Sequence, residues 1–520
     1  MILVRARKIY PLHPSNPPMA VRSEGKVKLQ RKLNSFDVTN LVIGSIIGAD
    51  IYVATGLAAK LVGPSSLIVW ILAGIMAIVI AVSFAYCVML LPRVGGPYAY
   101  VKEASTPFAG FMVGWALLLA EWFSLAVFPV AFAQYFTSLV PGIGPSGVVL
   151  LKAAFIVFII GTNFVGAKAA GRANDVLTIL KISPLVLMII AGLAFVVLNP
   201  ATVSDNMTPF VTGDLASFGG ALILIFWAYA GFELSTLPAN DIDRPERTIP
   251  RAIAFGMLFV IVFYLLTNFV VLGAVDQQTL QSTNTPLLSA AAAIFHSTAL
   301  ITNLMVVVVG VGALFSILGA DESGTIGTSR LAYAMALDGL LPRSFAKLHP
   351  KYGTPYIALI VLCTTAFVAS VFGGLTLLIS SSVFLLAFVY LATCLSTIRL
   401  EAKNTEVAKH LRWKVAIPIT GAAFSLLLIV LVNPLEIAIS LAVLGVGIVV
   451  YAYFSPRKEL AEAKTIFLSE EEILRRAAHQ RTRFLAHPVY HLRQYVNRKR
   501  GIGPAIVIVD KDDPKKEIDE

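Results

Sequence analysis

The sequence predicts an all-α integral membrane protein of about twelve transmembrane helices, on three observations. Apolar residues make up 57% of the 520 and mean hydropathy is +0.80, while only 14% are charged, against about 25% in soluble domains. Apolar runs recur at 37–62, 65–91, 107–140, 147–165, 174–198, 218–239, 250–275, 297–326, 355–373, 375–398, 414–433 and 435–454, each near the roughly 17–25 residues that carry a helix across about 30 Å of hydrocarbon. Lysine and arginine fall on one side. With the N-terminus cytoplasmic, all 41 except Lys60, Lys152 and Lys181 lie in the arm, the tail and the inner loops, which places both termini inside.

Taken in order, residues 1–35 form a basic cytoplasmic arm with Arg5, Arg7, Lys8, Arg22, Lys26, Lys28, Arg31 and Lys32. They contain no apolar core of signal-peptide type, so the arm is expected to be retained. Residues 36–454 form the membrane domain, and 455–520 a charged cytoplasmic tail. In that tail Ser469 and Glu472 make a capping box before an apolar stripe, predicting a helix on the inner leaflet, and Ala505 to Val509 read as a short strand. The net charge of +11 points to anionic lipid rather than nucleic acid, for which no motif is present. Cys87, Cys363 and Cys394 all fall within spans, and neither a disulfide framework nor a metal site is expected.

The first span carries Gly44-Ser45-Ile46-Ile47-Gly48-Ala49-Asp50 near its middle. A centred aspartate costs roughly 2.5–3.5 kcal/mol on insertion scales, so an intact lipid-facing helix has no use for Asp50. A broken helix does, because unpaired backbone groups at membrane depth are tolerated where they line a cavity or bind a ligand. The sixth span repeats the pattern in Phe226-Trp227-Ala228-Tyr229-Ala230-Gly231-Phe232-Glu233. Breaks five spans apart are what an inverted repeat produces, with about 36–198 matching 218–398. At such breaks the N–H end of one half-helix faces an anion and the freed carbonyls of another accept from a cation. An α-amino acid zwitterion suits both.

The other intramembrane charges are Lys181 in the fifth span, Glu121 in the third, and Asp321 and Glu322 in the eighth. Lys181 sits about a turn and a half from the cytoplasmic end, where snorkelling is one outcome; buried, it can load and release a proton near neutral pH. Asp321 or Glu322 can pair with it or face a water-filled vestibule. Glu121 can be a carboxyl hydrogen-bonded to a neighbouring helix.

Three motifs carry a family resemblance. Pro92, Gly95, Gly96, Tyr98 and Tyr100 fit P-x-x-G-G-x-Y-x-Y. Ser329-Arg330-Leu331-Ala332-Tyr333-Ala334-Met335-Ala336-Leu337-Asp338-Gly339, with Leu341-Pro342 and Gly353-Thr354-Pro355, fits S-R-x-x-Y-A-M-A-x-D-G-x-L-P and G-T-P. The sixth span fits A-[FY]-x-G-[FY]-E and continues into Pro245-Glu246-Arg247-Thr248-Ile249-Pro250-Arg251-Ala252-Ile253. Over about 36–454 the chain resembles the amino acid–polyamine–organocation superfamily, of amino acid permease type. The resemblance implies the LeuT-type fold, a 5+5 inverted repeat plus two peripheral helices. It places substrate against Ile46, Gly48, Ala49 and Asp50 on one side and Trp227, Ala228, Ala230 and Gly231 on the other, with Trp227 as an aromatic gate or a packed core residue. Asp50 departs from the pattern, since many relatives carry glycine there; it can hold a substrate amine, carry a proton or cap the outer half-helix. Lys181 resembles a lysine that stands in for sodium in proton-coupled members, so Lys181, Glu233, Asp321 and Glu322 are the proton-coupling candidates.

The expected function is a secondary active transporter in the cell membrane, moving amino acids or related amines by alternating access, with a proton rather than sodium as coupling ion and no cofactor. A substrate sensor descended from transporters and a polyamine or cationic-amine exchanger are the alternatives. No enzyme is expected: the seven histidines lie at span ends or in loops, no H-E-x-x-H occurs, and no phosphate loop for a pump is present. Oligomeric state is not legible.

Overall fold

The computed structural model describes residues 34–92, 95–165, 167–236, 242–409, 411 and 413–454, with the backbone alone for 167–179. The arm and the tail, including the capping box at Ser469 and the strand at Ala505 to Val509, lie outside the described residues. What is described is helical throughout.

The first span is two helices, α1 (Ser35–Ile46) and α2 (Ala49–Val62). α1 starts on a capping box in which the Asn34 side chain accepts from the Asp37 amide at 3.1 Å and the Asp37 carboxylate accepts from the Asn34 amide at 3.0 Å. After a 3-10 turn at Gly63–Ser65 come α3 (Ser66–Leu90), the short α4 (Gly96–Ala104), α5 (Pro107–Leu139), α6 (Pro145–Phe164), α7 (Ala167–Leu198) and α8 (Pro200–Asn206). The sixth span is α9 (Leu215–Trp227) followed, after four residues, by a 3-10 segment at Phe232–Thr236. Then follow α10 (Pro245–Ala274), the paired short helices α11 (Gln277–Ser282) and α12 (Pro286–Ile294), α13 (Ala299–Leu337), α14 (Tyr356–Phe372), α15 (Leu375–Lys403), the single turn α16 (Thr405–Ala408), α17 (Ala416–Leu431) and α18 (Pro434–Phe454).

Nine of these stretches are long and apolar enough to cross a membrane among the described residues, and the first, Ser35–Leu90, holds both of the first two spans. Tyr356–Phe372 and Ala416–Leu431 are shorter apolar helices at the ninth and eleventh runs. Each predicted run therefore coincides with a helix. Burial follows helical spacing: on α10, Phe255, Leu258, Phe259 and Val262 are exposed while Val260, Phe263 and Tyr264 are buried, as expected of a helix with one face to lipid. α5 is central, packed against α4, α6, α13, α14 and α15, whereas α17 and α18 add to the outside through α3, α5 and α15.

Two motifs about 240 residues apart in sequence meet in space. Gly95 and Gly96 have φ of +110° and +50°, a left-handed entry that glycine adopts without steric cost, and they open α4. Its Tyr98 hydroxyl donates to the Asp338 carboxylate at the end of α13. Lys102 reaches the same carboxylate at 3.0 Å and lies 5.1 Å from the Tyr98 ring centre. The tyrosine of one signature and the aspartate of the other are thus two halves of one contact that fastens α4 to α13.

Candidate functional site

The two breaks touch. Ser45 donates from its hydroxyl to the Gly231 carbonyl at 3.1 Å, α2 packs along α9, and α1 packs on the 3-10 segment. Glycine is required on both sides. Gly231 has φ of +114°, and a Cβ there would lie 2.8 Å from the Ser45 carbonyl oxygen; a Cβ on Gly48 would lie 2.3 Å from the Cβ of Ala320 on α13.

The end of α1 leaves carbonyls that the helix cannot pair, and side chains from three other helices take them. Lys181 of α7 donates to the Gly44 carbonyl at 2.7 Å. The Tyr264 hydroxyl of α10 donates to the Ile46 carbonyl at 3.0 Å, and the Ser316 hydroxyl of α13 lies 3.4 Å from the Gly48 carbonyl. Tyr264 is itself fixed by edge contacts with Trp70 and a tilted contact with Tyr229, ring centres 5.4 and 5.5 Å away.

The Asp50 carboxyl is buried at the start of α2. One of its oxygens lies 2.9 Å from where a Gly48 Cβ would stand. The Lys181 charge acts on Asp50 from across the break.

The second break is built differently. α9 ends in 3-10 bonds: the Trp227 carbonyl accepts from the Ala230 amide at 3.1 Å, after equivalent bonds from Ala228 and Tyr229. Glu233 folds back so that both its carboxyl oxygens accept from the Gly231 amide, at 3.0 and 3.1 Å, and one also accepts from the Tyr390 hydroxyl of α15 at 2.9 Å. Glu121 of α5 is buried. Trp227 is 2% exposed, its ring centre 6.2 Å from that of Phe128 and its indole N–H donating to Ser124 at 3.0 Å. Ser124 continues to Ser382 at 3.0 Å.

Lys181 does not snorkel, being fully buried, and the pairing with Asp321 or Glu322 that the sequence left open does not form among the described residues. The reason is rotation along α13. Ala320 and Ser316 face the first break, so residues one and two positions on, at about 100° per residue, point elsewhere. Glu322 accepts from Thr162 of α6 at 2.6 Å. Asp321 lies beside Thr325, with neither carboxyl oxygen in a hydrogen bond among the described residues.

Sequence reasoning missed Tyr264, Ser316, Ser124 and Tyr390. A tyrosine or serine in an apolar run carries no sign of its partner.

Two interrupted membrane helices that meet at their breaks, each presenting freed backbone groups, define a secondary transporter of the broken-helix kind. Over residues 33–465 the chain matches the family described as amino acid permease, and it belongs to that family. Among curated relatives it is similar to the branched-chain amino acid permease BcaP of Bacillus subtilis, 27% identical over 83% of this chain and 95% of the relative. It is also 27% identical to the human large neutral amino acids transporter small subunit 2, over 84% and 82% of the two chains. With the serine/threonine exchanger SteT of Bacillus subtilis it shares 25% identity, over 83% and 98%. It is a multi-pass membrane transporter of amino acids and not an enzyme.

Proposed function

We propose that the chain moves neutral amino acids across the cell membrane by alternating access, both termini inside, and that an inward proton gradient drives uptake. The names of the relatives speak for neutral side chains, branched, large or hydroxylated, and for flux rather than sensing. The substrate lies between Ile46, Gly48, Ala49 and Asp50 on one side and Trp227, Ala228, Ala230 and Gly231 on the other. Its carboxylate takes the amides that open α2 and its ammonium the carbonyls around the second break. Trp227, hinged on Ser124, covers it. Asp321 and Glu322, away from the break, serve as further proton acceptors in the scaffold.

The observation that carries proton coupling is the bond from Lys181 to the Gly44 carbonyl. A monovalent positive charge there, supplied by the protein, makes a sodium ion unnecessary. Protonated, the amine holds the end of α1; deprotonated, it holds it weakly, so the proton and the broken helix move together. The test is exchange in liposomes without ATP. Radiolabelled leucine on one side is expected to exchange with leucine, valine or serine on the other, and replacing sodium by choline to leave the rate unchanged. Absence of flux over a broad amino acid panel, from protein shown to be folded, contradicts the reading.

A further inference from the structure

Trp227, the cover of the proposed site, is held by a run of hydroxyls whose direction the geometry fixes. Its indole N–H lies 3.0 Å from the Ser124 hydroxyl of α5, Ser124 lies 3.0 Å from the Ser382 hydroxyl of α15, and Ser382 lies 2.9 Å from the Ala120 carbonyl of α5. An indole N–H only donates, a carbonyl only accepts, and each serine has one hydrogen to give. Ser382 therefore donates to Ala120, Ser124 donates to Ser382, and Ser124 accepts from Trp227. No other assignment satisfies all three contacts.

The orientation of Ser124 is the unusual part. A hydroxyl inside a helix often turns back to the carbonyl four residues earlier, as Thr137 does to Ala133 and Ser138 to Gln134 on α5, and Thr393 to Val389 on α15. For Ser124 that carbonyl is Ala120's. Its oxygen has two acceptor positions: the helix uses one for the amide four residues on, and Ser382 fills the other. Ser124 is thereby turned away from its own helix and left facing Trp227. Both Trp227 and Ser382 are buried, so bulk water does not compete for these bonds.

We propose that Ser382 is a positioning residue for the cover of the substrate site: by occupying the Ala120 carbonyl it keeps Ser124 in the orientation that accepts from Trp227. This rests on the transporter reading above, in which Trp227 lies over the substrate. α15 then holds the second break at two points, at Trp227 through Ser124 and at Glu233 through the Tyr390 hydroxyl. Without the Ser382 hydroxyl, Ser124 turns back to Ala120 and the indole loses its partner. The closed position of Trp227 weakens, so substrate is retained less well, while the step that carries it across is not slowed.

The test pairs equilibrium exchange of radiolabelled leucine in liposomes with ultraviolet resonance Raman spectroscopy of the detergent-solubilised protein. Each spectrum is taken as a difference against the same chain carrying Trp227→Phe, so that the other tryptophans cancel. Ser382→Ala is expected to raise the KM for leucine by about threefold to tenfold, the worth of one hydrogen bond, without lowering the maximal rate. Ser124→Ala is expected to do the same. Ser382→Ala added to Ser124→Ala or to Trp227→Phe is expected to change KM no further, because the bond it protects is already gone. The difference spectrum is expected to show a hydrogen-bonded indole N–H in the native chain and a weakly bonded one in Ser382→Ala. An unchanged KM in Ser382→Ala, an equal rise in the Trp227→Phe background, or a native indole band in Ser382→Ala overturns the proposal. The Raman reading needs no flux, so it stands or falls separately from the transport function.

Discussion

The two broken helices interrupt the membrane for the same reason and repair the damage by opposite means. At the first break, α1 stops, side chains from α7 and α10 donate to its end, one of them a buried ammonium, and a serine of α13 meets the start of α2. At the second, the chain closes most of its own carbonyls in 3-10 bonds and spends a carboxyl on its one twisted amide, that of Gly231. The first end is thus held by other helices and is released when they move or lose charge. The second is self-contained, tied to α15 through the Tyr390 hydroxyl.

The largest effect expected of a single substitution is at the contact between the breaks. Gly231→Ala forces a side chain into a conformation costing about 1–3 kcal/mol and against a backbone oxygen that has no freedom to withdraw. Gly48→Ala meets the methyl of Ala320 and an Asp50 carboxyl oxygen, an overpacking of about 1–3 kcal/mol. Amino acid exchange is expected to be lost in Gly231→Ala and reduced in Gly48→Ala, with Gly48→Ala partly restored by Ala320→Gly; equal losses with no rescue contradict the geometry.

Next is Asp50, whose buried carboxyl stands at the start of α2, where the proposed substrate carboxylate would lie. Removing it in Asp50→Gly is expected to lower the KM for a neutral amino acid by roughly tenfold, since two like charges no longer crowd one site. A KM that is unchanged or higher means that the two carboxylates do not compete.

The smallest effect comes from an acid that caps a helix in water. Asp276 caps α11, accepting from the Thr279 amide at 2.9 Å and its hydroxyl at 2.7 Å, and these bonds hold its carboxyl below the usual aspartate range. A depressed carboxyl contributes stability above its unfolded value of about 3.9, and that contribution is lost as pH falls through the folded value. Asp276→Ala is expected to cost about 1 kcal/mol at neutral pH, to lose its effect in strong acid and to leave transport unchanged; thermal unfolding followed against pH checks it.

Much of this was legible in sequence because membrane physics leaves few choices. The predicted break at Gly44 to Asp50 falls where α1 gives way to α2, since an acid between glycines cannot sit in an intact lipid-facing helix. The second break was legible for the same reason at Gly231 and Glu233. What was not legible was angular. Asp321 and Glu322 stood in the right span for Lys181, but one residue of helical rotation gives the break to Ala320 and turns the acids toward α6 and α14. Nor can sequence show that Tyr98 and Asp338, or Glu233 and Tyr390, are each other's partners, because such pairs are made by helix packing over long separations.

Uptake of radiolabelled leucine into liposomes, driven by an inward proton gradient and compared between the native chain and Lys181→Ala, tests the central claim most directly. The native protein is expected to accumulate leucine with the gradient and without sodium. Lys181→Ala is expected to keep exchange but lose accumulation. Gradient-driven accumulation that survives in Lys181→Ala, or a strict sodium requirement in the native protein, contradicts the assignment of the coupling charge to Lys181.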